Sequence, residues 1–327
     1  MIHSNSEGDI YIEEMPLLLV HLREEEKGAD ARLSEVLSYA LDGYAYETAT
    51  EISAFEDYVN RWRRLEKTQN RKNPVQGRIL FAVPLGTSGI NLELYRLIRF
   101  LREHPDFLNG FVGGLLVDSE NDLYSKSAAK DLVFAANCAG CAFVGRPLVE
   151  GTRTLSNYTI VSNNLGTDLM GAYRESAAGL VKEVLGTDCV RKKCPKVLVL
   201  HASSHKTSNT YAIWNRVKEQ LPEMEIREIG LRNGTLSDCA GCPYKMCLHF
   251  GEQGSCFYGG VMVEDVYPAV READAIVMLC PNYNDALGGN LTAFINRMTA
   301  LFTKHRFYDK LLFGVIVSGY SGSDIVA

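Results

Sequence analysis

A series of short segments in this chain is apolar along its whole length, and each segment is followed by a polar or amphipathic stretch. They are PLLLVHL, RILFAVP, FVGGLLVDS and CAFVGRPL in the first half, then KVLVLHA, AIVMLCP and LLFGVIVSG in the second. A strand without polar alternation is buried on both faces, as in a parallel sheet that is covered by helices. The pattern therefore predicts a doubly wound α/β architecture.

The two halves of the chain share one plan. PLGTSGINLELYRLIRFL and PNYNDALGGNLTAFINRMTAL each follow an apolar strand, and Asn-Leu opens the next helix in both, at Asn91 and Asn290. The strands that come next carry Gly114 and Gly314 at nearly the same distance. This indicates a diverged internal duplication, although any two strand–helix–strand units share some likeness. The basic segment VRKKCP marks the junction, so we expect two domains, residues 1–188 and 189–327.

Charge, apolar run length and cysteine number exclude several classes of protein. A net charge of −6 and a pI near 5.7 argue against a nucleic-acid binder, which usually carries a basic stripe. The longest apolar runs fall far short of the roughly 20 residues that a membrane helix needs. The acidic N-terminal segment lacks the apolar core of a secretion signal, and nine cysteines do not fit a secreted disulfide framework. We expect a cytoplasmic protein that binds neither nucleic acid nor membrane.

The loop after the first strand differs between the halves. In the second half it is HASSHKTSNT, and its hydroxyl, amide and basic side chains at a helix start suit a phosphate group. An ordinary helix cap would favour the same residue types. The matching loop of the first half, HLREEEKGAD, carries Glu24, Glu25 and Glu26, which repel phosphate. We therefore expect one nucleotide per chain, in the second half. The candidate contacts are Ser203, Ser204, His205, Lys206, Thr207, Ser208, Asn209 and Thr210.

A cysteine-rich segment, DCAGCPYKMCLHFGEQGSC, lies between two predicted strands of the second half. Its cysteines have the spacing C-x2-C-x4-C-x8-C, at Cys239, Cys242, Cys247 and Cys256. Four thiolates can hold a tetrahedral Zn²⁺ ion or an iron–sulfur cluster, and both centres tolerate variation in loop length. The third alternative is a loop whose thiols bind nothing.

From about Lys196 to Ala327 the chain resembles the flavodoxin-like NAD(P)H-dependent FMN reductases, and among them the iron–sulfur flavoproteins. The resemblance rests on SSHKTSNT, CPNYN, NLTAFINRM and VSGYSG, in this order and spacing. In the family these places respectively bind the FMN phosphate, border the isoalloxazine ring, position that loop and contact the ring again. The family often has a basic residue where this chain has Asn290. Carried over by position, the further candidate FMN contacts are Pro281, Asn282, Tyr283, Asn284, Gly288, Gly289, Ser318, Gly319 and Tyr320.

The resemblance implies two tandem flavodoxin-like doubly wound parallel-sheet domains, of which only the second binds FMN. Iron–sulfur flavoproteins carry a four-cysteine cluster loop at the position of Cys239 to Cys256, beside the flavin edge, with a more compact spacing. For this loop a [4Fe-4S] cluster, zinc and unligated thiols remain as alternatives. The second domain ends at SGSDIVA, so we expect it to lack its last helix and strand. The strand LLFGVIV would then be an exposed edge.

The implied activity is that of an FMN-dependent NAD(P)H oxidoreductase, which passes electrons from the nicotinamide through FMN to a quinone, a flavin or another small acceptor. Because the flavin itself accepts the hydride, no side chain is predicted as a catalytic acid or base. A flavodoxin-type electron carrier without direct NAD(P)H reaction is the alternative, and a scaffold without flavin is the third. The first domain is expected to act as a partner of the second, in an internal pseudo-dimer or a homodimer.

Overall fold

The computed structural model describes residues 2–4, 10–12, 15–23, 27–68, 76–188, 192–202, 208–221, 223–282, 284–302 and 304–319. The chain divides into two compact units, Met1–Val190 and Arg191–Ala327. No helix in these described ranges combines the length and the hydrophobicity that crossing a bilayer requires.

The first unit is an α/β layer structure. Its strands are β1 (Ile2–Ser4), β2 (Ile10–Ile12), β3 (Leu17–His21), β4 (Tyr46–Ala49), β5 (Gly77–Leu85), β6 (Phe111–Ser119) and β7 (Ala142–Gly151). Its helices are α1 (Lys27–Ala40), α2 (Ile52–Thr68), α3 (Leu92–Glu103), α4 (Ser125–Cys138), α5 (Thr159–Leu165) and α6 (Leu169–Gly186). β1 and β2 form an antiparallel ribbon. The other five strands form a parallel sheet in the order β4-β3-β5-β6-β7.

Both faces of this sheet are buried by helices. Leu18 and Val20 of β3 belong to a core cluster that includes α2, α3 and α4, whereas Leu17 and Leu19 belong to a second cluster with α1 and α6. All four side chains are less than 5% exposed. Burying one leucine side chain contributes about 1.5–3 kcal/mol, so each position along the strand favours an apolar residue. The continuous apolar run of β3 therefore arises from burial on both faces of the sheet, as predicted.

The second unit repeats this plan with fewer elements in the described residues. Its strands are β8 (Lys196–His201), β9 (Glu225–Gly230), β10 (Ala275–Pro281) and β11 (Leu311–Val317). Its helices are α7 (Asn209–Lys218), α8 (Tyr244–Glu252), α9 (Tyr267–Glu272) and α10 (Gly289–Phe302). A π-helical turn, Met262–Val266, leads into α9. The four strands are parallel, in the order β11-β10-β8-β9.

The two sheets have matching strand orders. β3, β4, β5 and β6 of the first unit occupy the places of β8, β9, β10 and β11 of the second. This confirms the predicted fold class of two parallel, doubly wound sheets. The paired asparagines do not share one role, however. Asn91 caps α3 by accepting a hydrogen bond from Leu94 N at 2.9 Å, whereas Asn290 is the second residue of α10 and donates to Leu231 O at 2.6 Å.

The last matched strands differ in their surroundings. All nine residues of β6 are buried, and a Cβ atom at Gly114 would come within 2.7 Å of Val184 on α6. On β11 a Cβ atom at Gly314 would meet only the Ile316 side chain, at 4.0 Å. Leu311, Leu312 and Phe313 are each more than half exposed. Residues 320–327, where a further helix was expected to begin, lie outside the described part of the chain, so the lack of a last helix and strand stays a prediction.

Candidate functional site

The loops that follow β8, β10 and β11 lie at one edge of the second sheet. Parallel strands point their carboxyl ends the same way, and open α/β sheets bind ligands beyond these ends. Of the predicted phosphate contacts, Ser203, Ser204, His205, Lys206 and Thr207 lie outside the described residues. Tyr283 and Tyr320 of the predicted ring loops do so as well. The remaining candidates can be placed.

Helix α7 starts at this edge with a capped N-terminus. Ser208 has an extended backbone conformation, and its Oγ accepts a hydrogen bond from Tyr211 N at 3.2 Å. Its carbonyl oxygen accepts from Ala212 N at 3.0 Å. Among the described residues, no acceptor lies against the backbone N–H groups of Asn209 and Thr210. The first turn of a helix carries partial positive charge, so these two N–H groups can bind an anion while Ser208 retains its capping bond and an O–H to donate.

Glu228 of strand β9 anchors α7, which the sequence did not indicate. Its carboxylate accepts hydrogen bonds from Tyr211 Oη at 2.6 Å, Trp214 Nε1 at 3.2 Å and Lys218 Nζ at 2.8 Å. Burial raises the pKa of Glu228, but the three hydrogen bonds, led by that of Lys218, outweigh burial and lower this pKa to about 2. Glu228 on the edge strand β9 thus binds three side chains of α7, the helix whose N-terminus lies at the candidate site.

We expect Glu228→Gln to destabilise the second unit at neutral pH by about 2 kcal/mol, the scale of hydrogen bonds to a charged group. Because the pKa is lowered on folding, the native contribution is complete above the ordinary glutamate pKa and is lost as the pH falls through about 2. The difference between variant and parent should therefore shrink below about pH 4.5. This difference in the free energy of unfolding is measured by urea unfolding, followed by Trp214 fluorescence in a Trp62→Phe background.

Glu225→Gln is the matched control, because Glu225 is an exposed residue of the same strand. It should change the unfolding free energy by less than about 0.5 kcal/mol. A Glu228→Gln penalty that is equal at pH 7 and pH 3 would contradict the assigned role of the carboxylate.

Asn282 connects the loops after β10 and β11. Its backbone N–H donates to Val317 O at 2.9 Å, and its Nδ2 donates to Ser318 Oγ at 3.1 Å and to Asp285 Oδ1 at 3.3 Å. Its Oδ1 is buried and has no hydrogen-bond partner within the described structure. A buried acceptor without a donor costs about 1–3 kcal/mol, so this atom is suited to a ligand that brings an N–H or O–H group.

The rest of the β10 loop leaves space at the same edge. Asn284 and Asp285 both have left-handed backbone conformations, with φ of 53° and 54°. Such conformations cost energy in residues other than glycine and are found at ligand clamps. A Cβ atom at Gly288 or Gly289 would meet no protein atom within 4 Å. Internal packing therefore does not require glycine at either position. Pro281 ends β10 in register with Val317, and the exposed Gly319 follows Ser318.

The four-cysteine loop follows β9 and contains a helix that was not expected there. α8 carries Cys247, which is half-buried like Cys242 and Cys256, while Cys239 is exposed. Burial raises the pKa of the Cys247 thiol, and the charges of Cys242, Cys256 and Cys239 raise this pKa further. Cys239, Cys242 and Cys256 therefore lie within electrostatic range of Cys247.

These thiols do not form a single-ion site in the structure. In the part of the chain that is described, no group of three or more His, Cys, Asp or Glu side chains has the arrangement that holds a metal ion. The described structure thus has no tetrahedral arrangement of the four predicted metal ligands, Cys239, Cys242, Cys247 and Cys256. Of the four cysteines, only Cys247 lies on helix α8, whereas Cys242 precedes this helix and Cys256 follows it.

The corresponding edge of the first unit contains a buried ion pair. Arg32 of α1 binds the carboxylate of Asp118 at two points, with Nε to Oδ2 at 3.0 Å and Nη2 to Oδ1 at 2.7 Å. Asp118 is fully buried. Burial raises the pKa of its carboxyl group, and the contact with Arg32 opposes this effect. Beside this pair, His21 Nε2 lies 2.9 Å from Asp30 Oδ1. Charged side chains of the protein itself thus pair with one another at this edge. Glu24, Glu25 and Glu26 lie outside the described residues, so the loss of a phosphate site in the first domain stays a prediction.

Comparison with known families finds one similarity, and it lies in the second unit. Residues 195–327 match the family model of NADPH-dependent FMN reductase. No curated protein matches the chain. The match confirms the resemblance that was found from Lys196 onward, and it indicates an oxidoreductase that uses FMN and NAD(P)H. It extends over the second unit only, so the first unit is described by its own structure.

Proposed function

We propose that the second unit binds one FMN at the carboxyl edge of β8, β10 and β11 and uses it to oxidise NAD(P)H. The observation that carries the residue assignment is the buried, unpartnered Oδ1 of Asn282, on the loop that ties β10 to β11. The N–H edge of an isoalloxazine ring offers the donor that this oxygen lacks. The assignment agrees with the family match over residues 195–327.

The residues at this edge fit the separate parts of FMN. We assign the phosphate to the start of α7, where the N–H groups of Asn209 and Thr210 and the Ser208 hydroxyl can donate hydrogen bonds. The predicted contacts Ser203 to Thr207 directly precede Ser208 in the sequence, and we keep them as candidate phosphate contacts. The open space beside Gly288 and Gly289 admits a planar ring.

Bound FMN would supply hydride acceptance from the nicotinamide. The protein's part is to bind and orient the flavin. The capped α7 terminus fixes the phosphate, and the network of Asn282 with Ser318 and Asp285 fixes the ring loop. No acidic or basic side chain of the described residues is assigned a proton transfer. The electrons pass to a small acceptor such as a quinone or a second flavin.

For the cysteine loop we favour an iron–sulfur cluster over zinc. Thiolates around one zinc ion lie about 4 Å apart, because each Zn–S bond is about 2.3 Å long. A cubane cluster places iron and sulfide between the cysteines and holds their sulfurs farther apart. The resemblance to iron–sulfur flavoproteins, which carry a four-cysteine cluster loop at this position, is what supports the larger centre. Cys239, Cys242, Cys247 and Cys256 would be its ligands.

We also propose that the first unit serves as a partner rather than as a second flavin site. Its edge holds the Arg32–Asp118 pair, and in the sequence Glu24, Glu25 and Glu26 align with the hydroxyl-rich loop of the second half. An internal pseudo-dimer would run as one chain in analytical ultracentrifugation, and a homodimer as two.

Protein purified without oxygen should contain one FMN per chain and about four irons. The flavin bands should be accompanied by a broad absorbance that dithionite bleaches. Anaerobic addition of NADPH should bleach the flavin, because the nicotinamide reacts with it directly. A flavin that dithionite reduces and NADPH does not would favour the flavodoxin-type carrier. A chain with FMN and no metal would remove the cluster and leave the reductase.

A further inference from the structure

Large apolar side chains are exposed at the carboxyl edge of the sheet in the first unit. Five of them, each 50–69% exposed, are called the edge patch here: Ile90, Leu92, Tyr95, Leu123 and Tyr124. Single exposed apolar side chains are ordinary on a protein surface, whereas a contiguous group of large ones marks an interaction site. Contiguity therefore decides whether this group has a function.

Two neighbouring loops bring the five residues together. One loop follows β5 and leads into α3, and the other follows β6 and leads into α4. Asn121 Nδ2 of the second loop donates to Thr87 O of the first at 3.0 Å. The Tyr124 side chain lies directly against Gly89, where an added Cβ atom would come within 2.4 Å of it. The two loops that carry the edge patch are thus in contact.

The fold of the first unit does not require these side chains at the surface. α3 packs on the core through Leu94, Leu97, Ile98 and Leu101, all of which are buried. Leu92 and Tyr95 of the same helix stay outside that core. Tyr124 has a left-handed backbone conformation, with φ of 74°. Such a conformation is unfavourable for a bulky residue, and strained residues cluster at functional sites.

The area of the edge patch matches the apolar part of a protein–protein interface. With about 150 Å² for each large apolar side chain, the exposed fractions correspond to an area on the order of 400 Å². A standard interface buries about 800 Å² on each partner, and slightly more than half of that area is apolar. The five residues therefore supply most of the apolar area that a stable dimer needs from one copy.

Charges of both signs border the patch. Arg96 forms an ion pair with Glu93 beside Leu92, and Lys126 Nζ lies 3.6 Å from Glu150 Oε1 close to Tyr124. In a dimer with two-fold symmetry a surface faces itself, so a border of one charge sign would repel the second copy. Paired charges do not cause this repulsion. A strongly charged partner, by contrast, would require a border of one sign.

We propose that the edge patch is the contact surface of a homodimer, in which it packs against the same patch of a second copy of this chain. Tyr95 and Tyr124 supply aromatic side chains, which are enriched at interfaces, and the ion pairs form the polar rim. This contact specifies the partner of the first unit, so it rests on the partner role proposed above but not on FMN.

Analytical ultracentrifugation of the 327-residue chain tests the contact. At about 10 μM the parent should sediment with twice the chain mass of 36.3 kDa, since interfaces of standard size give micromolar or tighter dissociation constants. Leu92→Glu should weaken association by at least about 100-fold, because each copy then brings a carboxylate into the apolar contact. An acidic residue is favourable at the first position of α3, so the variant should fold.

Leu312→Glu is the matched control, because Leu312 is as exposed as Leu92 but lies on β11 of the second unit. It should leave the dimer intact. A parent that remains a monomer at about 100 μM would overturn the proposal and leave the patch to a different protein. Dissociation by Leu312→Glu and not by Leu92→Glu would overturn it as well. Leu123→Glu repeats the test, and far-ultraviolet circular dichroism checks that each variant folds.

Hydroxyl-radical labelling locates the surface. Tyr95 and Tyr124 should be oxidised more slowly in the dimer than in the monomer obtained by dilution, whereas the exposed Tyr244 of α8 should not change. Equal labelling of Tyr95 and Tyr124 in both states would place the contact elsewhere and overturn the proposal. FMN content is measured on the same samples. A dimer without FMN would support this contact and contradict the flavin site, and a monomer with FMN would do the reverse.

Discussion

Replacing Asp118 with alanine should lower the free energy of unfolding of the first unit by about 3–5 kcal/mol, because the change leaves the Arg32 guanidinium as an uncompensated, largely buried charge. The Asp118 side chain is completely buried, and that of Arg32 is 23% exposed. The pair also holds the edge together, since Arg32 Nη1 donates to Arg153 O at 3.1 Å and Nη2 to Ser119 O at 3.1 Å.

The two tryptophans separate the units in this measurement. Trp62 is buried in the first unit and Trp214 in the second. In a Trp214→Phe background, urea unfolding followed by fluorescence reports the first unit alone, which matters because two units need not unfold in one step. The control is Glu103→Ala, which removes the exposed Arg99–Glu103 pair on α3 and should cost less than about 1 kcal/mol.

A second variant tests whether the loss of stability comes from the unpaired charge of Arg32 or from the cavity that the shorter side chain leaves. Combining Asp118→Leu with Arg32→Met replaces both charges with apolar groups, and buried pairs exchanged in this way often lose little stability. The double variant should therefore be more stable than Asp118→Ala. If Asp118→Ala lowers the free energy of unfolding by no more than Glu103→Ala does, the Arg32–Asp118 pair is not essential to the stability of the first unit.

The Arg32–Asp118 pair is also an example of a feature that could not be predicted from the sequence. Seven of the nine parallel strands were predicted from continuous apolar runs, which are the usual local signature of a strand covered by helices: β3, β5, β6, β7, β8, β10 and β11. β4 is an edge strand with three of four residues not buried, so it has no such signature. The Arg32–Asp118 contact joins residues that are 86 positions apart. No local pattern reports a contact of that kind.

The site shows the same division between local and long-range signals. The hydroxyl-rich loop and the four cysteines were visible because their residues are neighbours in the chain. Glu228 and the free oxygen of Asn282 were not recognised, because each acquires its role from elements that meet only in the folded sheet. Asn282 was selected by resemblance alone, and its buried oxygen supplies the physical reason. The functional assignment of Cys239 to Cys256 still depends on a bound metal.

Asn209→Asp should weaken FMN binding by about 30-fold while it leaves the free protein as stable as before or slightly more stable. The substitution keeps the shape of the side chain and adds a negative charge at the first residue of α7, where an acidic group gains about 0.3–1 kcal/mol from the helix dipole. Two unit charges about 5 Å apart interact by about 3 kcal/mol near a protein surface. With allowance for solvent at this exposed residue, about 2 kcal/mol remains, which corresponds to the stated change in Kd.

Opposite signs for stability and binding distinguish this result from a loss of structure. Asn215→Asp makes the same exchange about 9 Å further along the helix, and it should change FMN affinity by less than about threefold. Riboflavin, which has no phosphate, should bind Asn209→Asp and the parent equally well. Equal FMN affinities would place the phosphate away from α7. The expected result would also support the prediction that the first unit binds no FMN, because its sequence has Glu24, Glu25 and Glu26 in the matching loop.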